Sequence, residues 1–170
     1  MSIIYRGLRV GKNGKEFYMY KIETLVKGAD KESKFANDKY YTKYGKFLRK
    51  YKIDELPQIW NIIKRDMNFV GVRPEEPQSI AVMPNDIKEL ILSERPGLTD
   101  LASLYFYDEE EILKQTKEPE KVYWTQIKPM KMLLQVFYIK NKCWLLKMAI
   151  VWLTIKKVLR VSLITWCGEG

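Results

Sequence analysis

Asp54 and Glu55 stand side by side at the head of "IDELPQIWNII", with Arg49 five residues before Asp54 and Arg73 in the "GVRPEE" loop that follows. Adjacent acids at a helix start usually serve as caps. Here the arginines widen the reading, because guanidinium groups suit bidentate contact with phosphate oxygens. A carboxylate nucleophile, a second carboxylate and two guanidinium groups form a minimal set for phosphoryl transfer without histidine. Histidine is indeed absent from the chain, which removes the commonest general base and metal ligand. A hard divalent cation with oxygen ligands would fit beside such a set, most simply Mg²⁺ on Asp54.

These residues need elements to hold them. Leu56, Ile59, Trp60 and Ile63 recur at i, i+3, i+4 and i+7 and form one apolar helical face. Pro57 suits only a first turn, where its missing N–H has no partner to lose. Asp54 and Glu55 are therefore expected at a helix N-terminus, where the macrodipole lowers the pKa of a carboxylate and keeps it charged at neutral pH. Upstream, "IIYRGLRVGKNGKEFYMYKIETL" reads as a hairpin turning at Asn13-Gly14. Residues 27 to 40 read as a polar loop. "TKYGKFLRKY" reads as a short helix capped by Thr42, with Phe47 and Leu48 turned inward.

Downstream, "MPNDIKELILSE" is amphipathic and helical, "RPGLTDL" is a turn, and "YDEEEILKQTKEPEKVYW" is acidic and helical with Asp108 as cap. From Pro129 the chain is rich in Trp, Leu, Ile and Lys. Its lysines interrupt any run of the roughly 18 to 20 apolar residues that a spanning helix needs. The segment fits helices lying in the membrane interface with lysines reaching the headgroups, or equally a helical hairpin packed in the core. The expected fold is α+β: one compact, largely helical domain over residues 1–170, with an N-terminal β-hairpin and C-terminal amphipathic membrane-surface helices.

The 30 Lys and Arg against 21 Asp and Glu give a formal charge of +9, which suits an anionic partner. A nucleic-acid partner is not expected, since the basic residues are scattered and the aromatics sit among apolar neighbours. The two cysteines, Cys143 and Cys167, carry no disulfide or zinc pattern.

The string "LRKYKIDELPQIWNIIKRDMNFVGVRPEE" resembles the signature of the bacterial sugar transferase family, the monotopic phosphoglycosyl transferases that start glycan assembly on polyprenol phosphate. "RVGKNGKEFYMYKIETL" resembles the family's hairpin and Tyr-Lys pair, "RPGLTDLASLYF" its Pro-Gly-x-Thr-Gly segment, and "YIKNKCWLLKMAIVWLTIKKVL" its closing amphipathic helix. Roughly residues 4 to 160 are covered.

The resemblance implies an enzyme on the cytoplasmic face of the bacterial inner membrane. Asp54 would attack the β-phosphate of a UDP-sugar, expel UMP and carry the sugar phosphate until polyprenol phosphate takes it. Glu55 is then the dyad partner. Lys21, Arg49 and Arg73 are the expected phosphate-binding residues, and Mg²⁺ offsets the diphosphate charge. Membrane lipids and a second copy of the chain are further partners in this reading. The chain is expected to start after the apolar segment with which family members begin.

Six positions depart from the pattern: Val72 in place of the first proline of Pro-Arg-Pro, Arg65 in place of the glycine before Asp-Met, Glu23 where a basic residue is common, Lys147 where an aspartate is usual, and Tyr51 and Lys52 in place of the usual pair before Ile-Asp-Glu. The alternative implied is a catalytically impaired membrane-surface relative that serves as an assembly partner.

Overall fold

A computed structural model describes residues 3–26 and 40–167. The expected loop over residues 27 to 40 lies almost wholly outside them. Strands β1 (Ile4–Val10) and β2 (Glu16–Ile22) pair antiparallel in the register Ile4 to Ile22 through Val10 to Glu16. The turn between them puts Asn13 at φ 57° and Gly14 at φ 77°, a region these two residue types enter at least cost. The hairpin is therefore as its sequence indicates.

The next elements differ from expectation in detail. Helix α1 (Gly45–Lys50) starts after Tyr44, not at Thr42, and Phe47 points outward with 56% of its surface exposed. Its apolar ring instead packs on Tyr51, centroids 4.7 Å apart. A 3-10 segment, Ile53–Gln58, leads directly into α2 (Ile59–Ile63), and Lys52 precedes it at φ 57°. Neither Asp54 nor Glu55 caps this turn with its side chain. Leu56, Ile59, Trp60 and Ile63 do share a face, but it is exposed, Trp60 by 54%.

What fastens α2 to the hairpin is polar. Asn61 is fully buried; its Oδ1 accepts from the Tyr20 N–H at 3.2 Å and its Nδ2 donates to the Tyr18 carbonyl at 2.8 Å. One side-chain amide thus satisfies both backbone groups of β2, as a third strand would. Phe17, Met19, Met67 and Ile62 pack around this junction.

A short parallel pair, β3 (Asn68–Val70) and β4 (Gly97–Thr99), was not legible in the turn-like "RPGLTDL". Three residues per strand offer no periodicity to read. The two backbones approach so closely that a Cβ on Gly97 would lie 2.1 Å from the Gly71 nitrogen, so only glycine fits. Helices α3 (Pro77–Ala81) and α4 (Asn85–Leu92) fill the crossover.

Helices α5 (Leu101–Tyr105), α6 (Glu109–Lys114) and α7 (Pro119–Val122) follow, then a π-helical turn, Tyr123–Ile127, that runs into α8 (Lys128–Asn141). The last element is α9 (Trp144–Cys167). The main core joins Val70 and Val72 to Ile80, Ile91, Tyr138 and Ile150, so both C-terminal helices contribute to it. Thr99 and Thr154 share a hydrogen bond at 2.9 Å that ties α9 to β4. Along α9, however, Trp144, Leu145, Met148, Trp152 and Ile155 are exposed. The helical content and the hairpin agree with an α+β fold. No helix among the described residues is long and apolar enough to cross a membrane.

Candidate functional site

The 3-10 turn sets Asp54 and Glu55 in opposite surroundings. Glu55 faces β2 and the "GVRPEE" loop. Its Oε1 accepts from Lys21 Nζ at 2.9 Å and from Arg73 Nη2, and its Oε2 accepts from Arg73 Nη1 at 3.1 Å. Burial alone would raise this carboxyl, but Arg73 and Lys21 outweigh it and hold Glu55 well below the usual carboxylate range. Reciprocally, Glu55 raises the Arg73 guanidinium above its ordinary value. For Lys21 burial wins over Glu55, and its pKa is lowered.

Asp54 has no such cage. It is 4% exposed, and its Oδ1 has no hydrogen-bond partner among the described residues. Burial raises its pKa against the pull of Lys21, Arg49 and Lys52. This corrects the expectation of a lowered value. That argument assumed free N–H groups of an α-helix pointing at the carboxylate, whereas the 3-10 turn offers Asp54 none, so desolvation decides.

Of the five residues expected at the site, Lys21, Glu55 and Arg73 are in direct contact and Asp54 adjoins them. Arg49 lies to the side: its Nη1 donates to Glu110 Oε1 at 2.7 Å and to the Tyr41 hydroxyl at 2.9 Å, and it reaches Asp54 only through its charge. Glu23, where the family pattern commonly has a basic residue, is exposed and accepts from the Leu25 N–H at 3.3 Å.

Lys21 and Arg73 open into a cleft of about 510 Å³. Arg73 is aimed by its backbone, whose N–H donates to Asp100 Oδ2 at 3.4 Å. Asp100 in turn caps α5, accepting from the Ser103 N–H at 2.6 Å. The close β3–β4 pair is what brings Gly71 to Arg73 against Asp100. A second wall of the cleft comes from the π turn and α8: Tyr123, Trp124, Lys128, Lys131 and Gln135. There Lys128 pairs with Glu75 at 2.7 Å and Lys131 with Glu109, while Arg9 pairs with Glu76 at 3.3 Å. An apolar groove of about 480 Å³ adjoins the cleft, sharing Ser79, Val82, Trp124 and Lys128 with it.

Sequence reasoning missed Asp100, Lys128, Lys131 and Gln135. Asp100 carried a readable signal, an aspartate just before the apolar run "LASLYF" with a serine three residues on. Gln135 carried a fainter one, a polar residue within the otherwise apolar stripe of Met132, Tyr138 and Ile139.

A buried carboxylate whose Oδ1 has no partner among the described residues thus lies next to one clamped by two cations. The chain belongs to the bacterial sugar transferase family, whose sequence model matches residues 1–161. It is 40% identical over 87 residues to a putative undecaprenyl-phosphate N-acetylgalactosaminyl 1-phosphate transferase of Bacillus subtilis (strain 168), covering 49% of each chain. It is 33% identical over 116 residues to the undecaprenyl-phosphate galactose phosphotransferase of Salmonella typhimurium, covering 58% of this chain and 24% of that protein. An uncharacterized sugar transferase of Bacillus subtilis, EpsL, is 29% identical over 165 residues, covering 92% of this chain and 70% of that one. The matched stretch is thus about half the length of the first relative and a quarter of the second.

Proposed function

We propose that the protein transfers a sugar phosphate from a UDP-sugar to polyprenol phosphate, through a covalent intermediate on Asp54, at the cytoplasmic face of the inner membrane. In the first half-reaction an Asp54 oxygen bonds to the β-phosphorus. The bond from that phosphorus to the bridging oxygen breaks, and UMP leaves with the electron pair. In the second, a phosphate oxygen of the acceptor bonds to the same phosphorus and the acyl-phosphate bond to Asp54 breaks, which frees the carboxylate and yields the lipid diphosphate sugar.

The observation that carries this reading is the buried Oδ1 of Asp54, unpartnered among the described residues, one position from a carboxylate that holds Lys21 and Arg73 together. A desolvated carboxylate is a stronger nucleophile than a hydrated one, and the neighbouring cations receive the charge on the phosphate. Glu55, as dyad partner, keeps those two cations at the donor phosphates. Arg49 contributes charge from the side. Asp54 is the residue that would hold Mg²⁺, with oxygens of the donor diphosphate as further ligands. Among the described residues no cluster of three acidic, Cys or His side chains would hold a cation without substrate. Bound there it would neutralise diphosphate charge.

The acceptor's chemistry, a phosphate on a long hydrocarbon, matches Lys21 and Arg73 in a cleft that adjoins an apolar groove. The exposed apolar faces of α2 and α9 support attachment to a lipid surface.

The experiment is UMP release from a panel of UDP-sugars by detergent-solubilised protein with Mg²⁺ and undecaprenyl phosphate. Wild type and Asp54→Asn are compared, with intact-mass detection of the sugar-phosphate adduct. UMP and adduct in the wild type alone are expected. Equal rates in the two proteins would sink the assignment of Asp54.

A further inference from the structure

We propose that the α8 wall of the cleft, centred on Gln135 with Lys128 and Lys131, is the subsite for the neutral hexose of the donor. In it Gln135 Oε1 accepts a hydrogen bond from a sugar hydroxyl or acylamino N–H. The inference rests on the reading of the protein as a UDP-sugar enzyme, and it names which side chains select the sugar.

Gln135 is 4% exposed, and its Oε1 is buried without a hydrogen-bond partner among the described residues, although the residue lines the cleft. An amide oxygen left unpaired in the interior is costly, so a donor is expected from whatever fills the cleft. Lys128, Lys131 and Gln135 fall at i, i+3 and i+7 of α8, which places all three on one stripe. The stripe follows directly on the π turn Tyr123–Ile127. A wider turn of this kind shifts the helical register of what comes after it, and such turns recur at functional sites.

Charge separates this wall from the other. Lys21 and Arg73 share one side-chain carboxylate, Glu55; Asp100, also near Arg73, is engaged with backbone N–H groups. That leaves two cations in position to divide an anion between them. On the α8 wall each cation has its own carboxylate: Lys128 has Glu75 and Lys131 has Glu109. A balanced wall gains little from a phosphate, but its alternating donors and acceptors match hydroxyl groups, which both give and accept hydrogen bonds. Tyr123 and Trp124 border it, and aromatic side chains suit the C–H side of a pyranose.

The test measures binding of UDP and of UDP-galactose, UDP-glucose and UDP-N-acetylgalactosamine to the full chain, for wild type, Gln135→Leu and Gln135→Met. Thermal midpoints serve as the folding control. The preferred UDP-sugar should bind about tenfold more weakly to both variants, with UDP itself unchanged within twofold. UDP weakened by the same factor would mean that Gln135 reads the uridine or the phosphates, and the proposal would be wrong. Unchanged affinities throughout would overturn it as well, as would a wild type that gains nothing from the sugar over UDP alone. A wild type that binds the sugar through Gln135 yet releases no UMP would instead defeat the transferase reading and leave this subsite standing.

Discussion

The two walls of the cleft use the same residue types to opposite ends. On the hairpin side Lys21 and Arg73 line the cleft and converge on Glu55 behind it; on the helical side Lys128 and Lys131 are each matched by a glutamate. The stoichiometry of pairing, and not the number of charges, decides what each wall attracts. Two cations that converge on one carboxylate lie close enough together to divide a second anion between them, whereas a cation held by its own glutamate is already engaged. The same logic separates Asp54 from Glu55, neighbours whose pKa values are driven apart, one up by burial and one down by two cations.

The largest effect should come from Asp54→Asn, with turnover down by on the order of 10⁴-fold or more, as expected for loss of a nucleophile. The variant should stay folded by circular dichroism, with no fall in thermal midpoint, because burial already disfavours the charged form. Arg73→Ala comes next. It leaves Glu55 buried with Lys21 alone, and should lower unfolding free energy by about 3 kcal/mol in a denaturant titration. Lys128→Ala breaks a single-bond pair with Glu75 in place of the two-bond Arg73–Glu55 fork and should cost less; equal losses would erase the distinction between the walls.

The pH behaviour sharpens the comparison further. The folded pKa of Glu55 is depressed, so its stabilising contribution is fully present above the unfolded value of about 4.5 and is lost as pH falls below it. Glu55→Gln should flatten that part of the acid-denaturation curve. For Asp54 the pKa is raised, and Lys21 pulls it down. Attack needs the ionised form, so Lys21→Met should move the acid limb of the pH–rate profile to higher pH. A limb that stays in place would separate Lys21 from Asp54.

The smallest effect lies away from both walls. Arg65 ends α2 at φ 64°, where the family signature has glycine, and the Met67 N–H returns to the Asn61 carbonyl at 3.2 Å, as in a helix-ending turn. Arg65→Gly should add about 1 kcal/mol of stability with turnover unchanged.

Much of this molecule was readable in one dimension. The Asn13-Gly14 turn, the helical spacing from Leu56 to Ile63, the helix over Asn85–Leu92 and the acid pair all depend on residues within a turn or two of one another, and local sterics and periodicity write themselves into short strings. Fate was less readable than form: the same spacing that announces an apolar face from Leu56 to Ile63 is silent on whether protein covers it, and none does among the described residues.

What the sequence by itself determined is the set of candidate groups: without histidine, an Asp-Glu pair flanked by arginines points to phosphate. What only the tertiary structure decided is which of the two acids is clamped. Glu55 is clamped because Lys21, from β2, and Arg73, from a loop set by the β3–β4 pair, arrive at it from opposite directions along the chain. Desolvation and charge depend on distance in space, so the pKa order of two neighbours, the 1:1 pairing on α8 and the unpartnered oxygen of Gln135 appear only once the chain has closed on itself.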